Sequence, residues 1–214
     1  MMKTRLPHRL AARLCASRAA AALPRDVDRS TGLCADGLVR IAWASDQKGL
    51  GAFAVSPLQP EQVVGLYAGE VLTLGGLLRR YGAGGVDTPG EYEAANWQAA
   101  WAADRAARGV GVTGEYVFNA GECPHSGRAL LLDAEDPACS NWTRYLNHSA
   151  RRPNLLVERE VRASAEASGV GSATPPIAGT PLVRFVVARP VAAGDELLFD
   201  YGEGYECIGE RNRM

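Results

Sequence analysis

Two stretches decide how this sequence is interpreted: RYLNHS at residues 144–149 and GDELLFDYG at residues 194–202. In the first, the polar triplet Asn147-His148-Ser149 follows an apolar and aromatic run, and Pro153-Asn154 comes shortly after it. A buried Asn or His usually just satisfies neighbouring backbone groups. Tyr201, at the end of an apolar strand, is by itself ordinary strand packing. Neither stretch alone identifies a function, so the segments around them matter.

Four shorter segments accompany these stretches. KGLGAF at residues 48–53 contains glycines that let a ligand approach the main chain closely. YAGEV at residues 67–71 and Tyr116-Val-Phe118 follow, and Asp133-Ala134 precedes the first stretch. In this order the segments closely resemble the SET-domain family of protein lysine methyltransferases, over residues 38 to about 204.

The resemblance implies a fold, an activity and a cofactor. The fold expected is α+β and mainly β, with small curved sheets, a threaded knot-like C-terminal segment and a helical insertion. The activity is methyl transfer from S-adenosylmethionine to the side-chain amine of a lysine in a protein substrate. Cofactor and lysine are expected to enter from opposite faces and to meet in a narrow channel, without a metal ion.

The resemblance also assigns roles to individual residues. Those expected to bind the cofactor are Gly49, Leu50, Gly51, Arg144, Asn147 and His148. The tyrosines matched to the lysine channel are Tyr201, in the catalytic position, and Tyr116. Phe199 and Val157 are expected to shape the substrate pocket. Because Phe199 lacks a hydroxyl that could anchor a water molecule, we expect di- or trimethylation rather than a stop at monomethyl-lysine.

The chemistry of methyl transfer accounts for these residue types. The reaction needs a neutral amine in line with the methyl group, about 3 Å away, and no covalent enzyme intermediate. A lysine amine has a pKa of about 10.4, so deprotonating it near pH 7.5 in water costs roughly 4 kcal/mol. A dry aromatic channel and a nearby sulfonium charge both lower that pKa.

The sequence departs from the family pattern at a few positions. Ala150 stands where the family often has Cys, and two residues, Arg151 and Arg152, precede Pro153 where one is usual. The five cysteines form no C-x-x-C pair, and only Cys207 lies beyond the catalytic tyrosine. No cysteine zinc site is therefore predicted. Tyr205 could supply the aromatic lid that a zinc module brings in other members, or be an exposed tail residue.

Charge is distributed unevenly along the 214 residues. The first 25 hold six basic side chains and no acidic one, so the remaining 189, with 17 basic and 24 acidic side chains, carry a net charge of −7. An acidic body favours a basic partner such as a lysine-rich tail and disfavours direct nucleic acid binding. No run of about 18–20 apolar residues is present, so a membrane span is not predicted. We expect a monomer.

The pattern along the chain suggests one domain with appendages. Residues 1–30 resemble a transit peptide or a disordered leader, residues 31–204 the SET domain, and residues 205–214 a short tail. Within the domain we predict a helical insertion at about 74–112 and a flexible loop at about 163–181. Short strands are predicted at residues 39–44, 50–56, 63–69, 115–120, 129–134, 182–190 and 196–202. Trp97 and Trp101, one helical turn apart, are predicted core anchors.

Three functions fit the sequence to different degrees. An active lysine methyltransferase accounts for Tyr201, Asn147 and His148 occurring together. The alternative is a catalytically inactive SET-fold module that binds or scaffolds, and a more remote one is a β-rich interaction protein with chance matches. The substrate stays open: a histone tail fits the acidic body and a nuclear location, whereas an organellar protein fits a plastid or mitochondrial leader.

Overall fold

The computed structural model describes residues 23–81, 89–124, 126–162 and 179–202. Its elements in chain order are β1 (Val39–Ser45), β2 (Gly49–Ala54), β3 (Val63–Leu66), β4 (Glu70–Thr73), α1 (Leu74–Tyr81), α2 (Pro89–Ala107), β5 (Val117–Glu122), β6 (Ala129–Asp133), a 3-10 helix (Trp142–Tyr145), β7 (Asn147–His148), β8 (Leu155–Arg162), β9 (Thr180–Val187) and β10 (Leu198–Phe199). None of the described helices is long and apolar enough to cross a membrane.

The strands form four small sheets instead of one large one. β1 and β2 make an antiparallel hairpin, and two antiparallel three-stranded sheets have the orders β3-β9-β8 and β4-β6-β5. The fourth sheet joins β7 and β10 in parallel, with Leu198 opposite Asn147 and Phe199 opposite His148. That last pairing brings the two stretches that opened the sequence analysis side by side.

The main core lies between the hairpin, the 3-10 helix and the C-terminal segment. In β1, Val39 and Ile41 point inward while Arg40 points out, as the alternation of a strand with one buried face requires. Phe185 of β9 and Leu197, both fully buried, complete this core. Burying such side chains is the dominant favourable contribution to folding, at about 1.5–3 kcal/mol each.

The C-terminal segment is threaded between the hairpin and residues 147–154. The Leu197 amide donates to the Ala52 carbonyl (2.8 Å), and the Leu198 amide donates to Asn154 Oδ1 (2.8 Å). Asn154 Nδ2 in turn donates to the Glu196 carbonyl (2.8 Å). A single buried Asn thus satisfies backbone groups on a segment about forty residues away. This arrangement agrees with the predicted α+β, mainly β fold of small sheets with a threaded C-terminal segment.

The helical insertion is attached to the β4-β6-β5 sheet by four charged side chains and one tyrosine, which we call the insertion cluster: Glu70, Arg80, Tyr81, Arg105 and Asp133. The Asp133 carboxylate, with no exposed side-chain surface, accepts hydrogen bonds from Arg80 Nη1 (2.6 Å) and from the Tyr81 hydroxyl (2.8 Å). Arg105 Nη2 donates to Glu70 Oε2 (2.7 Å). Burial and the bond to Asp133 raise the pKa of the Tyr81 phenol. The cluster therefore joins both helices to the sheet.

The folded domain begins earlier than the sequence suggested. Residues 23–30 were assigned to the leader, but Leu23 and Val27 are buried in the main core. The Trp142 amide also donates to Asp26 Oδ2 (3.2 Å). Burial raises the pKa of the Asp26 carboxyl. Residues 1–22 and the tail at 205–214, with Tyr205, lie outside the described residues.

Two predictions about the insertion and the following loop need correction. Trp97 and Trp101 are only partly buried and stack on each other (centroids 6.1 Å apart, planes at 12°), with the Arg79 guanidinium 4.2 Å over Trp97. They join α1 to α2 and are not part of the main core. Within the predicted loop at about 163–181, Thr180 and Pro181 already belong to β9; residues 163–178 lie outside the described part.

Candidate active site

The turn of the β1-β2 hairpin depends on two glycines for different reasons. Gly49 has φ of 72°, a backbone conformation that residues other than glycine rarely adopt. Gly51 has an ordinary backbone but no room for a side chain, because a Cβ would lie 2.9 Å from both Asn147 Nδ2 and Glu196 Oε1. The Leu50 side chain between them packs against the main core. The hairpin thus packs directly against β7 and the C-terminal segment.

Asn147 connects this hairpin to the C-terminal segment. Its Nδ2 group donates to the Leu50 carbonyl (3.1 Å) and to Glu196 Oε1 (2.8 Å). Both amide hydrogens of Asn147 therefore have acceptors within the protein, which leaves Oδ1 as the polar side-chain atom with acceptor capacity.

His148 and Tyr201 position each other. His148 Nδ1 accepts a hydrogen bond from the Tyr201 backbone amide (3.1 Å), and the two rings lie 5.1 Å apart. The Tyr201 hydroxyl donates to the Leu146 carbonyl (2.7 Å). Tyr201 is thus held at both ends, its main chain by His148 and its phenol by the residue that precedes Asn147.

Tyr201 also ends a continuous cluster of aromatic rings. Its ring lies 4.5 Å from that of Phe199, which lies 4.9 Å from Phe185 and 5.9 Å from Phe118. Phe118 in turn lies 5.1 Å from Tyr67. Offset and edge contacts at these distances are favourable, and the cluster gives one side of the site apolar walls.

Tyr116 lies just before β5 and is fixed from two directions. Its carbonyl accepts from the Tyr67 hydroxyl (2.7 Å), and its ring lies over the Arg144 guanidinium at 3.8 Å. Burial, followed by the neighbouring Tyr201 phenol, raises the pKa of Tyr67, so Tyr67 stays a proton donor. The stacked Arg144 guanidinium stabilises the Tyr116 ring through a cation–π contact.

Arg144 itself is buried. Its Nη1 donates to the Glu135 carbonyl (3.1 Å) and to Ser140 Oγ (3.3 Å), and its Nε has no hydrogen-bond partner among the described residues. Its observed contacts are with the protein, whereas its contact with a cofactor stays a prediction. Val157 is partly buried, pairs with Phe185 across β8 and β9, and packs against the main core.

The structure thus brings nine of the ten predicted site residues into two connected groups, and the tenth, Val157, is linked to the second group by its pairing with Phe185. The hairpin, Asn147 and His148 form one group, and the aromatic cluster with Tyr116 and Arg144 forms the other; Tyr201 belongs to both. Sequence reasoning assigned no role to the Leu146 carbonyl, Tyr67 or Glu196. All three residues lie in quoted motifs, so the signal for them was present. Among the described residues, no cluster of His, Cys, Asp or Glu could hold a metal ion.

The sequence model of the SET domain matches residues 49–202, most of the chain and all of the site just described. The chain therefore belongs to the SET-domain family. Members of this family are generally protein lysine methyltransferases, and S-adenosylmethionine is their cofactor. No curated protein matches the sequence.

Several solved structures are similar to this chain at low sequence identity and with TM-scores below 0.5. SET8 from Cryptosporidium is 22% identical, with a TM-score of 0.45, over 77% of this chain and 57% of that chain. KRYPTONITE, in complex with mCHG DNA and SAH, is 21% identical, with a TM-score of 0.42, over 78% and 24%. The Chaetomium thermophilum polycomb repressive complex 2 is 18% identical, with a TM-score of 0.46, over 79% and 16%. This chain spans little more than half of the first and less than a quarter of the other two.

Proposed function

We propose that this protein transfers methyl groups from S-adenosylmethionine to the side-chain amine of lysine in a protein substrate. The observation that carries the proposal is the junction at Tyr201, where the threaded C-terminal segment meets β7 and the aromatic cluster. One tyrosine there borders both the polar hairpin side and the apolar side of the site. When bound, the cofactor supplies an electrophilic methyl group on a sulfonium.

The residues on the hairpin side fit this cofactor chemically. Apart from its chain neighbours, no described residue has an atom within 4 Å of the place where a Cβ would stand on Gly49, so a ligand can approach that main chain. Asn147 offers an acceptor oxygen suited to an ammonium group. We propose that the cofactor is held by Gly49, Leu50, Gly51, Asn147 and His148. The buried Arg144 is proposed to bind it as well.

We propose that the aromatic side of the site binds the substrate lysine and favours its neutral form. Desolvation disfavours a charged ammonium, so a channel bordered by Tyr116, Phe118 and Tyr201 lowers the pKa of an entering lysine and favours its neutral form. The Tyr201 hydroxyl and the Leu146 carbonyl, already 2.7 Å apart, are placed to orient the amine. Positioning of this kind supplies several kcal/mol of the barrier reduction.

Replacing Asn147 or His148 by Ala is expected to weaken S-adenosylmethionine binding by about tenfold or more, since truncating a hydrogen-bonded buried polar group costs about 1–3 kcal/mol. His148→Ala should also disturb Tyr201, because it removes the acceptor of the Tyr201 amide. Isothermal titration calorimetry with the purified protein gives both affinities. Normal cofactor affinity in both variants would show that the cofactor assignment is wrong.

The number of methyl groups is expected to depend on Phe199. Its ring is buried against Tyr201 and Phe185, and it carries no group that could hold a water molecule. We expect products up to di- or trimethyl-lysine, and we expect Phe199→Tyr to stop at monomethyl-lysine, because a buried hydroxyl needs a partner and an ordered water can supply one. Mass spectrometry of the product at excess cofactor distinguishes these results. Wild-type protein that stops at monomethyl-lysine would contradict the prediction.

We propose a basic, lysine-containing tail as the substrate, because the chain after its first 25 residues carries a net charge of −7. A histone tail has this character, and so does a basic organellar protein. The location of the full-length protein, tagged at its C-terminus, separates them: a nuclear signal favours the histone, and a plastid or mitochondrial signal excludes it.

Two assays test the proposed function in sequence. Calorimetry with S-adenosylmethionine tests the cofactor site, and methyl transfer to basic protein substrates tests the enzyme. Cofactor binding without any transfer would favour a SET-fold binding or scaffolding module instead. Absence of cofactor binding would contradict the proposal altogether.

A further inference from the structure

Glu196, in the GDELLFDYG stretch, makes hydrogen bonds both to the turn of the β1-β2 hairpin and to residues 147 and 154. It pairs with Phe53 of β2 through an isolated β-bridge, and its carbonyl accepts from Asn154 Nδ2. Its carboxylate reaches back to the hairpin, where Oε2 accepts from Lys48 Nζ (3.2 Å) and Oε1 accepts from Asn147 Nδ2 (2.8 Å). The side chain is 19% exposed.

The chemistry of these contacts fixes the orientation of the Asn147 amide. A carboxylate and a main-chain carbonyl can only accept hydrogen bonds. Because Asn147 faces Glu196 on one side and the Leu50 carbonyl on the other, its NH2 group must point toward both. Its Oδ1 must therefore point away from them. Without the carboxylate, only the Leu50 carbonyl at 3.1 Å would favour this orientation.

We propose that Glu196 is a positioning residue for cofactor binding: it holds the Asn147 amide so that Oδ1 serves as the acceptor for the ammonium group of S-adenosylmethionine. The inference rests on the proposed function. Lys48 supports it by engaging the second carboxylate oxygen, so that the carboxylate is held between the hairpin turn and β7. Because Gly51 has no side chain, Asn147 Nδ2 and Glu196 Oε1 can meet directly beside its backbone.

The test compares variants that remove the acceptor with one that keeps it. Glu196→Ala and Glu196→Met both remove the acceptor, and Met also preserves most of the side-chain volume in case Ala fails to fold. Glu196→Gln keeps an amide oxygen that can accept from Asn147. Glu158→Ala is the matched control, because it removes a carboxylate that is paired with Arg184 (3.2 Å) where β8 pairs with β9.

Three quantities are measured for each variant: the dissociation constant of S-adenosylmethionine by calorimetry, the KM of a lysine peptide, and the Tm. We expect Glu196→Ala and Glu196→Met to weaken cofactor binding by about tenfold or more. Glu196→Gln and Glu158→Ala should remain within about threefold of wild type. The peptide KM should change little in all of them, which a general loss of structure would not produce.

The outcomes are distinct. Wild-type cofactor affinity in Glu196→Met, or a Glu196→Gln variant as weak as Glu196→Met, would overturn the positioning role and leave the proposed function intact. Peptide KM and cofactor affinity weakened to the same extent would overturn it too. Wild-type protein that binds no S-adenosylmethionine would overturn the proposed function and this inference with it.

Discussion

Tyr201→Phe is expected to lower the rate of methyl transfer at least ~100-fold and to change the affinity for S-adenosylmethionine only a few-fold. The loss follows from removing one preorganised polar group at the reacting centre, which typically costs 10²–10³ in kcat. The phenylalanine ring keeps its contacts with Phe199 and His148, and the backbone amide still donates to His148. The site should therefore remain assembled without its hydroxyl. Steady-state kinetics at saturating cofactor measures the effect.

The matched control is Tyr81→Phe. The Tyr81 hydroxyl also makes one short hydrogen bond, to Asp133 Oδ2 (2.8 Å), but it lies in the insertion cluster. This variant should unfold at a lower temperature while its turnover at 20 °C stays close to wild type. If Tyr201→Phe retained near-normal turnover, or if both variants lost activity equally, Tyr201 would have no special role.

Asp133→Ala is expected to lower the free energy of unfolding by about 3–5 kcal/mol, because removing one member of a buried ion group leaves the others uncompensated. Arg105 is 2% exposed, and its Nε and Nη1 have no hydrogen-bond partner within the described chain, so the nearby carboxylates are its main compensation. Arg80 would lose its 2.6 Å ion pair with Asp133 and keep the one with Glu70. Urea unfolding followed by circular dichroism gives the difference directly.

Asp104→Ala provides the comparison for that experiment. Asp104 pairs with Arg108 at 3.0 Å, but both side chains are largely exposed, so water and salt screen their interaction. We expect its unfolding midpoint to stay near that of wild type. Equal midpoints for Asp133→Ala and Asp104→Ala would mean that the insertion cluster does not stabilise the domain.

The sequence was most informative where several motifs occurred in a fixed order. Local patterns could not have predicted the pairing of Asn147 with Leu198, because two-residue parallel strands carry no periodic signal. The family resemblance implied only a threaded C-terminal segment, and the parallel pairing of β7 with β10 agrees with it. The strand at 39–44 is predicted from its alternation and the strand at 50–56 from the short segment that follows it, and both agree closely with β1 and β2.

No strand was predicted at β8, whose sequence is rich in charged residues. β8 reads LLVEREVR and does not alternate cleanly between buried and exposed residues, since only Leu155 is fully buried. It forms because every residue from Leu155 to Arg162 pairs with β9 and because Arg159 Nε donates to the Asn119 carbonyl (3.0 Å). Such tertiary support overrides weak local propensity. β4 (Glu70–Thr73) was likewise missed, because it fills the short gap between the strand predicted at 63–69 and the helical insertion predicted from about residue 74.

The leader boundary was misplaced for a related reason. The composition of residues 1–30 is rich in Arg and Ala near its start, which drew the boundary beyond Leu23 and Val27. Those two side chains are apolar, but two residues are too few to define a period, and both reach the core. Burial at such positions depends on contacts distant in sequence, here with the 3-10 helix through Asp26 and Trp142.

The most direct test of the central claim is methyl transfer itself. The purified protein is incubated with S-adenosylmethionine and basic-tailed proteins, including core histones, and the products are analysed by tandem mass spectrometry, with Tyr201→Phe in parallel. We expect methyl groups on lysine side chains in the wild-type reaction and at least ~100-fold less in the variant. Cofactor binding without methyl-lysine on any substrate, or methylation that Tyr201→Phe leaves unchanged, would contradict the account.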